Sequence, residues 1–161
     1  MEKPIKLRGE TMYKVNIVSP NNYMTNNITE ALLNKFHNLL DITGQYLDYR
    51  KPPNQLYLDE LDKVISSHIL ICAFDVNSHE NIAGITRATS LYTSSLETLS
   101  ILGIRHSPKL LIGLPVNLGV TLYNPDWLFI IGAVHEWGTL AFSEEEMLDL
   151  IANYVDTNPL P

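Results

Sequence analysis

A single cysteine, Cys72, excludes any disulfide within the chain. It lies inside an apolar run, where a lone cysteine is expected to act as a small core residue. The excess of positive charge that non-specific nucleic-acid binding needs is also missing. The formal net charge is −7, so no nucleic-acid partner is expected. No apolar run approaches the roughly 20 residues that span a bilayer, so no membrane partner is expected either. The first residues carry charge without a following apolar stretch of signal length, and the expected location is cytoplasmic. The five histidines, His37, His68, His79, His106 and His135, lack metal-ligand spacing, so neither a metal nor a cofactor is expected. No phosphate-cradling glycine pattern follows the first strand: Ser19-Pro20-Asn21-Asn22 is not Gly-x-Gly-x-x-Gly, and a dinucleotide site is unsupported.

What is present is a substantial core. Hydrophobic residues make up 45% of the 161 residues and charged residues 18%, which argues against disorder and for one domain. We expect a loose tail over 1–12 and a single α/β domain over 13–158. Tyr13 to Val18 alternates and is β-branched, a strand that proline stops at Ser19-Pro20. A helix is expected from near Thr29, carrying Ala31, Leu32, Leu33, Phe36, Leu39 and Leu40, with Gly44 ending it or lying just beyond it. Gln45–Tyr49 is a short strand candidate. A helix over about 56–66 is expected to turn Leu58, Leu61, Val64 and Ile65 inward and Asp59, Glu60, Asp62 and Lys63 outward. His68 to Phe74 is continuously apolar, as a parallel strand covered on both faces should be, with Asp75 at its C-terminal end.

Ser94-x-x-Glu97 reads as a capping box opening a helix whose apolar stripe is Leu96, Leu99 and Leu102. Residues 85–93 stay ambiguous between helix and loop. Lys109–Leu114 is the next central strand. Residues 126–134 read as a buried helix or strand, with Trp127 a core or interface residue. Leu140–Phe142 is a short last strand, and Ser143 to Glu146 a capping box opening a final helix to about Tyr154. Strands alternating with helices predict a mostly parallel, flavodoxin-like (Rossmann-like) sheet with helices on both faces.

Four pieces of this layout resemble the nucleoside 2-deoxyribosyltransferase family and the related nucleotide N-glycosidases. They are Ile17-Val18-Ser19-Pro20, the acidic helix Glu60 to Ile69, Ser95-Leu96-Glu97 with the later Gly103 and Pro108, and Tyr123-Asn124-Pro125 with Phe142-Ser143-Glu144-Glu145. The chain departs from the family pattern at Leu91, Thr93 and His68. The resemblance implies cleavage of the N-glycosidic bond of a deoxyribonucleoside, with a carboxylate attacking the anomeric carbon. Glu97 would be the nucleophile, ionised by the helix N-terminus. Asp75 and Glu60 would be the further acids. Asn124, or in competition Asn117, would contact the sugar. Ser19 lies in the loop after the first strand, and Tyr23 and Tyr49 could stack on a base. For a phosphate the candidates are Ser94, Ser95 and Arg87. The implied partner is a small nucleoside or nucleotide, in a pocket completed by another copy of the chain in a homo-oligomer. Two alternatives stand beside this transferase. One is a nucleoside or nucleotide N-glycosidase of the same fold, which passes the sugar to water. The other is a non-catalytic nucleotide-binding or interaction module.

Overall fold

The computed structural model describes residues 12–44, 50–103, 109–116, 125 and 127–160. Five parallel strands form one sheet in the order β2-β1-β3-β4-β5. They are β1 (Tyr13–Val18), β2 (Leu40–Gly44), β3 (Ile69–Asp75), β4 (Leu110–Val116) and β5 (Thr139–Leu140). The helices are α1 (Asn22–Phe36), α2 (Pro53–Ile65), α3 (Ile82–Ile101), α4 (Trp127–Trp137) and α5 (Glu144–Thr157). This is the expected flavodoxin-like fold, and no described helix is long and apolar enough to cross a membrane.

The period of two along each strand divides the core. Val15, Ile17, Ile69, Ile71 and Ala73 face α1 and α5, meeting Ile28, Leu32, Met147 and Ile151. Leu70, Cys72, Phe74 and Leu111 face the other way, toward Val64 of α2 and the inner sides of α3 and α4. Because β3 lies between two layers, six of its seven residues are buried, and the continuous apolar run is explained.

Several expectations need correction. α1 begins at Asn22, with the Asn21 side chain as N-cap, seven residues before Thr29. It ends at Phe36, because His37 takes a positive φ of 51°. Leu39 therefore sits in a 3-10 turn and Leu40 opens β2 rather than extending the helix. The Gln45–Tyr49 strand candidate lies outside the described residues, as do eleven of the twelve residues assigned to the tail. On α2 the inward face is rotated: Glu60 and Val64 are buried, whereas Leu58 and Ile65 are exposed.

The largest correction concerns α3. Ser94 caps nothing, for the helix starts twelve residues earlier. Its real inner stripe is Ile85, Ala88, Thr89, Tyr92, Thr93 and Leu96, whereas Leu102 is exposed beyond the helix end. The inner hydroxyls are satisfied within the helix: Thr89 donates to the Ile85 carbonyl at 2.8 Å and Thr93 to that of Thr89 at 2.9 Å. At the other end of the chain the Ser143 capping box is present. Its hydroxyl accepts from the Glu146 amide, while the Glu146 carboxylate accepts from the Phe142 amide at 2.7 Å.

Burial also sets a pH dependence. It pushes the Cys72 thiol up to about 12, opposed by the Thr89 hydroxyl 3.1 Å away. Burial pushes the Tyr154 phenol up to about 12, with the Tyr13 phenol adding to it, and raises Tyr92 well above its ordinary value. For an acid whose folded pKa is raised, the unfolded chain releases its proton first. The stabilising contribution is therefore complete below the unfolded pKa and is lost as pH rises toward the folded one. Stability should fall steeply between the ordinary thiol range and pH 12. Urea unfolding at pH 8, 9 and 10 should show the slope of the Cys72→Ala variant shallower, by a difference that grows toward about 1.4 kcal/mol per pH unit as pH 10 is reached. Equal slopes would refute the assignment.

Candidate functional site

In a sheet of this order the chain reverses direction across β1, and ligands of such folds bind beyond the C-terminal strand ends at that point. Here the crevice lies between the loop after β1 and the loop after β3. The two loops are bonded to each other. Asn81 Nδ2 donates to the Ser19 carbonyl at 2.8 Å, and Asn21 Nδ2 donates to Glu80 Oε2 at 3.0 Å. Ser19, buried at 5% exposure, donates to the Asn21 carbonyl at 2.7 Å and lies 2.6 Å from the Thr25 hydroxyl. Asn21 Oδ1 meanwhile accepts from the Met24 amide and caps α1. The Glu80 carboxylate thus stands at the N-terminal end of α1, where the helix dipole favours an anion.

The loop after β3 is also braced from within and below. Asp75 Oδ1 accepts from the Asn77 amide at 3.0 Å, and the Asp75 carbonyl accepts from Ser78. The Trp127 indole stacks on Phe74 at a centroid distance of 5.4 Å, and its Nε1 donates to the Ser78 carbonyl at 2.9 Å. Asn81 takes a left-handed φ of 51°, which asparagine tolerates better than most residues, and the chain then turns into α3.

Beside this crevice an open cleft of about 440 Å³ runs along Ile82, Ala83, Thr86 and Arg87. These residues are spaced i, i+1, i+4 and i+5, so they share the outer face of the first two turns of α3. Arg87 Nε donates to Glu60 Oε2 at 2.6 Å. The Glu60 side chain is 9% exposed and that of Arg87 44%. A second cavity, about 310 Å³, includes Lys14, Asp41, Asp59, Lys63 and Ser67 in its wall. It reaches the start of β1 and of β3, away from the switch point. There Lys51 and Gln55 donate to Asp59 and hold its carboxyl below the usual range.

The expected site residues divide between the two ends of the sheet. Ser19, Tyr23 and Asp75 come together at the switch-point rim, with Tyr23 75% exposed on the first turn of α1. Glu60 is a buried partner of Arg87 and not part of a solvated face. Glu97 is exposed, ten residues beyond Arg87, which is roughly 15 Å along the helix axis. Tyr92, between them, already donates to the His68 carbonyl at the start of β3 at 3.1 Å. Glu97 therefore belongs to the N-terminal rim, opposite the switch point, and to the last turns of α3, where the dipole disfavours a carboxylate. Ser94 is exposed toward that same end, and Ser95 donates to the Tyr92 carbonyl. Tyr49, Asn117 and Asn124 lie outside the described residues. Sequence reasoning missed Asn21, Thr25, Glu80 and Asn81. Their only signal was the run of polar residues after each of the two strands.

No family model matches the chain, and no curated protein matches it. Among solved structures, a Burkholderia pseudomallei K96243 protein described as pilus assembly-related is similar, with a TM-score of 0.50 and 9% sequence identity. The match covers 94% of this chain and 96% of that one, and at this identity it shows the fold alone.

Proposed function

We propose that this chain is a non-catalytic binding module for a small nucleoside or nucleotide, seated at the α3 cleft beside the β1/β3 switch point. The observation that carries the reading is the division of the acids. Glycosidic cleavage needs a free carboxylate facing the cavity that holds the sugar. At the cleft the nearby acid, Glu60, is engaged by Arg87, and Glu97 stands at the far rim. The cleft walls contributed by Ile82, Ala83 and Thr86 suit a flat ring, and the volume is of ligand size. The nucleotide class is supported by the fold's customary binding position and by the sequence resemblance.

The transferase and N-glycosidase readings remain the rivals, with Asp75, the last residue of β3, as the acid they would use. One experiment separates all three. The protein is titrated with deoxyadenosine and deoxyadenosine 5′-monophosphate by calorimetry. It is also incubated with deoxyinosine and free adenine, followed by chromatography. Saturable binding without released or exchanged base is expected, and Glu97→Ala should bind as the parent does. Deoxyadenosine formation would establish transfer, and free hypoxanthine alone would establish hydrolysis. Loss of either activity in Glu97→Ala would restore Glu97 as the nucleophile.

A further inference from the structure

Resting on the binding reading above, we infer that Arg87 is the anion-reading residue of the cleft, and that its ligand is a nucleoside monophosphate rather than a free nucleoside. Glu60 reaches only Nε of the guanidinium. The two terminal nitrogens have no partner among the described residues, and the side chain remains 44% exposed at the cleft. An arginine held at Nε by a buried carboxylate keeps its terminal nitrogens as a fixed pair of donors. That pair matches two oxygens of a phosphate, and little side-chain freedom remains to be lost on binding.

The surroundings explain why the anion is read there. At the start of α1, the usual phosphate position after the first strand, Glu80 already stands against Asn21. A phosphate at that spot would meet a like charge. At α3 the ligand ring would lie along Ile82, Ala83 and Thr86, with its phosphate toward Arg87. Glu60 is a positioning residue in this scheme. Its charge also offsets that of the guanidinium, so phosphate contact rests on short-range hydrogen bonds more than on long-range attraction.

That balance gives a signature which a purely structural ion pair would not produce. Glu60→Gln retains an acceptor for Nε but removes the compensating negative charge. It should strengthen binding of deoxyadenosine 5′-monophosphate by threefold or more while leaving deoxyadenosine unchanged. Arg87→Lys keeps the charge and loses the paired donors, and it should weaken the monophosphate by tenfold or more, again sparing the nucleoside. Calorimetric titration of both ligands against the parent and both variants reads this directly, with circular dichroism confirming that each variant is folded. If the parent binds nucleoside and monophosphate equally, the inference on Arg87 fails while the binding reading stands. If it binds neither, the binding reading itself has failed and the inference falls with it.

Discussion

Gly138→Ala should lower the melting temperature by about 10 °C, because the added methyl group has nowhere to go. A β-carbon at this position would lie 2.3 Å from the Leu111 carbonyl oxygen, and 2.8 and 2.9 Å from Leu111 Cβ and carbonyl carbon. Two of those atoms are backbone of a central strand, so no rotamer change relieves the contact. Gly138 is the single residue between α4 and β5, and its amide donates to the Val134 carbonyl at 2.7 Å. Moving it would break either that helix-end bond or the pairing of Thr139 with Ile112. Overpacking typically costs up to about 3 kcal/mol, and a backbone clash belongs at or above that end. In a domain of this size, 1 kcal/mol moves the midpoint by roughly 2–4 °C.

Gly132→Ala provides the control with opposite sign. At that exposed position within α4, nothing lies within 4 Å of an added β-carbon. Alanine there should stabilise by about 0.5–1 kcal/mol, since glycine is the costlier residue inside a helix. Thermal melts of both variants check the pair. A Gly138→Ala protein that melts with the parent would mean that the α4–β5 junction is looser than described.

Which parts of this architecture could be read from the residues follows from how local their causes are. β3 was legible because burial on both faces writes an uninterrupted apolar run, and α5 because a serine and a glutamate three apart form its own start signal. α3 was not legible from residue 82, because its sheet-facing positions include Thr89 and Thr93, and its outer ones Ser90 and Ser94. Those residues favour caps and turns in isolation, and only packing against β3 keeps them helical. Leu32, Phe36, Leu39 and Leu40 have helical spacing, yet His37 breaks the run through a backbone turn that no residue type announces. Glu60 reads as solvated by its own helix, since its partner comes from α3, 27 residues on. The candidate site shows the same division. The loops after β1 and β3 could be found from strand ends alone. The end of the sheet at which Glu97 would stand depended on where α3 begins.

Trp127→Ala should cost about 3–5 kcal/mol and also loosen the candidate site, whereas Trp127→Phe should separate the two effects. Trp127 is fully buried at the first position of α4, stacked on Phe74 in the layer that holds Val76, Ile85 and Ile130. Truncation to alanine removes the largest fully buried side chain of the core and leaves a cavity beneath the loop after β3. Its indole also ties that loop down, through the bond from Nε1 to the Ser78 carbonyl. Phenylalanine keeps most of the ring contact but cannot donate. It should therefore lose only about 1 kcal/mol of stability. The local consequence should be larger than the global one. Amide exchange of residues 77–81 should speed up in Trp127→Phe, while the β3 amides stay protected. Because Asn81 from this loop bonds to Ser19, and α3 starts at the next residue, the cleft along Ile82 and Arg87 inherits that motion. Ligand affinity should then fall in Trp127→Phe by more than its stability loss would suggest. Unfolding curves together with exchange rates decide the matter. If exchange in 77–81 matches the parent, the indole bond to Ser78 does not position the loop, and the tryptophan acts through packing alone.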